Sequence, residues 1–192
     1  HHPSRDKSHG RIWRLVAKDR PLLEPRTPAG AGPGELLEML KSPAQYDRVG
    51  AGRKLAGHGP AKVLPLLRKW VASLDAGDPA YEHHRLEGLW LAVSLRAAFP
   101  ELAESVLRSS EPRARAGAVR AIARWSERAG PLDKLTLLAR AVEDPHPRVR
   151  LEAVCALREL GTLESAGIAL RALDHEVDDN IAFALELTVR YL

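Results

Sequence analysis

Residues Asp144 to Leu157 read DPHPRVRLEAVCAL, and this stretch decides the fold. Val149, Ala153, Ala156, Leu157 and Leu160 recur at helical spacing and share one face. Pro147 suits the first turn of a helix, where its missing N–H costs nothing. The alanines on the apolar face let a second helix approach closely. The same pattern stands 35 residues upstream in EPRARAGAVRAIARW, Glu111 to Trp125. Pro112 matches Pro147, Arg115 matches Arg150, Ala118-Val119 matches Ala153-Val154, and Trp125 matches Leu160. YEHHRLEGLWLA (Tyr81 to Ala92) fits about 30 residues further upstream, with Arg85 at the arginine place. YDRVGAGRKLA fits more weakly through Arg48, Ala51 and Leu55, and the last unit, from His175, is degenerate, as a cap or a truncated array would be.

A helix pair of this kind cannot bury both its faces alone. Stacked neighbours complete the burial, which gives a quasi-one-dimensional array. The punctuation agrees: Gly57-His58-Gly59, Gly130-Pro131 and Gly161 split the apolar runs into short helices. The expected helices are Glu35–Lys41, Pro43–Ala56, Pro60–Leu74, Pro79–Ala98, Pro100–Ser109, Pro112–Arg128, Leu132–Val142, Pro147–Leu160, Leu163–Leu173 and Asn180–Tyr191. The fold class is therefore all-α: an α-solenoid of about four helix pairs plus a capping helix. One orphan β-strand at Arg11–Lys18 and a Pro/Gly-rich linker precede it. The domain organisation follows: 1–18 as the closing strand of something upstream, 19–34 as linker, 35–192 as helical repeats.

The unit resembles the HEAT repeat in Asp144, Pro147, Val149, Arg150, Ala153, Val154, Ala156 and Leu157. That resemblance implies a ladder of Asp and Arg side chains between repeats. Asp144 and Arg150 fit it. The preceding unit keeps Arg115 but has Ser109 at the Asp place; the following unit keeps Asp174 but has Asn180 at the Arg place. Arg150 is expected to donate to Asp144 or Asp174.

The 192 residues carry a formal charge of +4 with 25 acidic and 29 basic side chains, and the basic ones are mostly arginine. Such a balance points only weakly to nucleic acid. The single cysteine, Cys155, excludes an internal disulfide and reads as a small core residue. No GxSxG, HExxH, CxxC or phosphate-binding glycine loop is present. Glu101, Glu104, Glu152 and Glu159 read as a solvated helix face. His83-His84 is the most tempting metal motif, but adjacent helical side chains point about 100° apart. No metal site is expected there; one His should lie in the repeat junction and one in solvent. Trp70, Trp90 and Trp125 read as core. Arg113, Arg120 and Arg124 share a helix face, and Arg148 is the counterpart of Arg113 one repeat on. Together with His83 and His84 they form the candidate interaction face. It could dock a protein, or grip phosphates as HEAT-like DNA glycosylases do.

Two further stretches resemble one bacterial family over most of the chain. RDKSHGRIWR (Arg5 to Arg14) is similar to the end of the propeller in the PVC-type haem-binding CxxCH proteins, also labelled membrane-bound dehydrogenases. LPLLRKWVASLDAGDPAYEHHRLEGLW (Leu64 to Trp90) resembles a later stretch of the same family, with Arg85 and Gly88 as departures. The resemblance implies a glucose/sorbosone-dehydrogenase-like propeller before His1 and a cytochrome c domain after Leu192. Haem c, and any quinone or calcium, would belong to those domains. This segment would hold no catalytic residue, metal or cofactor. It would be a periplasmic or secreted connector, in contact with the propeller and the haem domain, without a membrane span of its own.

Overall fold

The computed structural model describes residues 26–125 and 133–190, with positions 18, 21, 23 and 24. The expected strand Arg11–Lys18, Trp13, and His1, His2 and His9 lie outside the described residues, Lys18 apart. Every regular element among the described residues is helical. They are α1 (Pro33–Met39), α2 (Gln45–Gly57), α3 (Pro60–Ala72), α4 (Tyr81–Ser94), α5 (Pro100–Leu107), α6 (Pro112–Arg124), α7 (Lys134–Ala141), α8 (Pro147–Leu160), α9 (Leu163–Ala169) and α10 (Asp179–Arg190). A 3-10 turn, Leu170–Asp174, extends α9.

Local chemistry sets these ends. Proline occupies the first turn of α1, α3, α5, α6 and α8. The Glu111, Asp133, His146 and Thr162 side chains accept from the orphan N–H groups of α6, α7, α8 and α9. Gly161 closes α8 with φ of 64°, a left-handed conformation that a side chain would strain.

The even-numbered helices α2, α4, α6, α8 and α10 stack on one another as one row. The odd-numbered helices form a second row, each packed beside its even partner. Leu36, Leu55, Leu67, Leu89, Ile122 and Leu157 are fully buried between the rows. The even row is tight because its contact residues are small. Ala114, Ala116, Ala118 and Ala121 of α6 are all buried. At Gly117 a Cβ would stand 2.8 Å from a terminal methyl of Leu86 in α4, so a side chain there would require Leu86 to turn aside.

The structure alters several sequence expectations. The repeats number five pairs among the described residues: the degenerate last unit forms a complete helix, with Ile181, Ala184 and Leu185 buried. It is also less polar at its surface than a cap should be, since Leu163, Leu173, Phe183 and Val189 are exposed. The helix expected over Pro79–Ala98 is only Tyr81–Ser94; Arg96 takes a positive φ of 52° just after it. The helix expected to reach Arg128 stops at Arg124. Trp125 turns extended there, and its indole Nε1 donates to the Ala97 carbonyl at 3.0 Å. In the expected linker, the Arg26 N–H donates to the buried Asp47 carboxylate at 3.2 Å, which ties the chain before α1 to α2.

Candidate functional site

The helices α2, α4, α6 and α8 each present an arginine near their start, and three of these side chains make the same local contacts. Arg48, Arg115 and Arg150 each donate from one terminal nitrogen to the carbonyls five and six residues before them. Those carbonyls belong to the turn that joins the odd helix to the even one. The other edge of each guanidinium reaches the next repeat. Arg48 Nε donates to Glu87 at 2.7 Å. Arg115 makes a two-pronged pair with Asp144 at 2.7 and 2.8 Å. Arg150 donates to the Glu176 carbonyl at 2.6 Å. Arg85 differs: it binds Glu82 in its own first turn at 2.9 Å and crosses to the Ser105 hydroxyl of α5.

This ladder differs in detail from the pairing expected from sequence. Arg150 meets the backbone carbonyl of Asp144, not its carboxylate, because that carboxylate already faces Arg115. Asp174 is exposed at the end of the 3-10 turn, and no bond joins it to Arg150. Without a carboxylate partner, the buried Arg150 Nε makes no hydrogen bond among the described residues. Asp144 has a second role. Its Oδ1 accepts the His146 N–H at 2.9 Å and shapes the turn into α8. Ser109 and Ser42 do the same for Glu111 and Ala44. Serine at the Asp place therefore keeps the turn and gives up the rung. Burial pushes the Asp144 carboxyl up, but the Arg115 and His146 bonds outweigh it and hold the group below the usual range.

The candidate face is partly assembled. Arg113, Arg120 and Arg148 line one groove of about 820 Å³ between α6 and α8, floored by Ala116 and Gly117. Arg120 and Arg148 share Glu152, each through Nε at 3.1 Å. Glu152, expected on a solvated face, has only 13% of its side chain exposed, because the two guanidiniums cover it. Arg124 lies instead over the Trp90 ring, 5.9 Å from its centre. Trp90 is half-buried. It lines a second groove of about 510 Å³ between α2 and α4, with Val49, Arg53 and Glu87.

His83 and His84 part company. His83 is exposed and stands 3.5 Å from Glu87; His84 is 5% exposed and lies 3.7 Å from Asp78. His84 therefore belongs to the interior and is not on the arginine face. Burial lowers its pKa, and the nearby Asp78 only partly offsets that. Among the described residues no group of His, Cys, Asp and Glu is arranged to hold a metal ion. Cys155 is half-buried, and burial pushes its thiol up. No described helix is long and apolar enough to cross a membrane. Sequence reading passed over Glu87, Glu82, Ser105 and Glu176 as ladder partners. Their spacing from the arginines varies from repeat to repeat, so no periodic signal marks them.

The stacked helix pairs and the arginine-pinned turns define an α-solenoid of helical repeats. Residues 99–189 match the family described as HEAT repeats, so α5 to α10 form a HEAT-like region. A search of curated proteins finds no match to the chain.

Proposed function

We propose that this chain is a non-catalytic helical scaffold that holds domains or proteins together. The observation that carries this reading is the arginine ladder. It pins the turns before α2, α6 and α8 to the next repeat and so supports an even-row face bearing two open grooves. A rigid, grooved surface suits binding more than chemistry. The sequence resemblance supports a finer reading: the helical connector of a periplasmic or secreted PVC-type haem-binding dehydrogenase-like protein. The propeller would end in the run Arg5–Arg14, and a cytochrome c domain would follow the helical repeats. Contacts would then be made in cis, with any haem, quinone or calcium held by the neighbouring domains.

The test is the reading frame around this segment. A propeller upstream and a CxxCH motif downstream are the expected result. An initiating Met immediately before His1 would refute the connector reading. Turnover of sugars or alcohols by the purified chain with an artificial electron acceptor would refute the non-catalytic one.

A further inference from the structure

We propose that the groove between α6 and α8 docks an extended, acidic segment of a protein partner; this rests on the scaffold reading and supplies its partner chemistry. Arg113 and Arg148 occupy the same place in consecutive repeats, and both line the groove. The Arg113 guanidinium has no hydrogen-bond partner among the described residues. Arg148 commits only its Nε to Glu152, so its two terminal nitrogens keep their donors. Arg120 and Arg148 side chains are 47% and 56% exposed, whereas the Glu152 between them is 13% exposed. The outward surface is therefore cationic, although an acid lies beneath it.

The geometry points to an extended peptide. Neighbouring helices lie about 8–10 Å apart, and an extended chain advances about 3.3 Å per residue. Acidic side chains two residues apart share one face of such a chain and, with their own length added, reach Arg113 and Arg148 together, each as a charge-assisted pair. Ala116 and Gly117 leave the floor clear for a backbone to lie across the helices. Nucleic acid fits this groove less well. No Phe, Tyr or Trp lines it to stack a base, and the exposed Glu111 at its edge interrupts the positive charge, which spaced carboxylates of a peptide can step over and an unbroken phosphate chain cannot.

Fluorescence anisotropy on the whole chain tests this. The probe is a fluorescein-labelled peptide of about 12 residues with Glu at every second position, which puts all the carboxylates on one face about 6.6 Å apart when extended. Its Gln counterpart is the control. The Glu peptide should bind at low salt, more weakly as salt rises, and the Gln peptide should not. Arg113→Glu/Arg148→Glu should weaken binding about tenfold or more, since two charge-assisted contacts become repulsions. Arg108→Glu, at an exposed odd-row site that lines a different groove, should change it by less than about twofold. No binding of the Glu peptide, or equal loss in both variants, overturns the proposal. Tighter binding of a duplex DNA of about 20 base pairs, lost in the same double variant, overturns it in favour of a nucleic-acid surface. The scaffold reading has its own arm, the turnover and reading-frame tests, so either can fail alone.

Discussion

Removing the Asp144 carboxylate should cost more than any other single change in the ladder. Asp144→Ala deletes both bonds to Arg115 and the acceptor for the His146 N–H. It also strands a guanidinium whose side chain is only 13% exposed. Breaking a buried pair from one side costs about 3–5 kcal/mol. Residual exposure places this one toward the lower end, at about 3 kcal/mol. For a chain of this size that corresponds to a fall in Tm of roughly 6–12 °C. Asp144→Asn keeps an oxygen for the turn and loses the charge, so it should recover about 1 kcal/mol of the loss. Urea unfolding of Asp144→Ala, Arg115→Met and the double variant gives the coupling directly, expected at about 1.5–3 kcal/mol. Additivity within about 0.5 kcal/mol would refute the rung as an energetic unit. Acid offers a second reading of the same pair. The folded carboxyl titrates below its unfolded value of about 3.9, so the unfolded chain takes up the proton first. The stabilisation is complete above that value and is lost as pH falls through the folded pKa. Asp144→Asn should remove this part of the acid response.

The remaining predictions concern other parts of the array. Gly117→Ala sets its new methyl against the movable end of Leu86, so alanine's better helix propensity and the cost of turning Leu86 should cancel to within about 1 kcal/mol in urea unfolding; added Leu86→Ala should make the same substitution plainly favourable. Arg150→Ala and Arg150→Lys should both lower Tm, because a single ammonium cannot reproduce three carbonyl bonds spread over two edges; an unchanged Tm in Arg150→Ala would sink the staple. His84 is depressed below its unfolded value of about 6.5, so stability is full above that pH and falls as pH drops through the folded pKa. Urea midpoints at mildly acidic and alkaline pH should show this slope, and His84→Asn should flatten it. The Cys155 thiol should alkylate slowly in the folded chain at mildly alkaline pH and quickly in denaturant, since burial raises its pKa.

Helix phasing was legible in particular residues. The Pro147-to-Leu160 helix stands where its proline, apolar stripe and closing glycine place it. Boundaries without such marks drifted: nothing local to Trp125 announces that its indole is held by Ala97, 28 residues earlier. The ladder shows the same division. Arg115 and Arg150 were visible as periodic arginines. That Arg115 takes the Asp144 carboxylate, and leaves Arg150 with carbonyls alone, depends on which repeat faces which edge of the turn. Of the arginines expected on one face, Arg113, Arg120 and Arg148 line a common groove. Arg124 leaves that groove for the Trp90 ring, and His84 turns inward.

Sequence by itself determined that this is a stack of helix pairs, because a period of apolar and small residues is a local property that any one helix displays. Only the tertiary structure decided the partners of the charges and the shape of the grooves. Those depend on helix approach, and helix approach is set between repeats by contacts such as Gly117 against Leu86, which no single repeat contains.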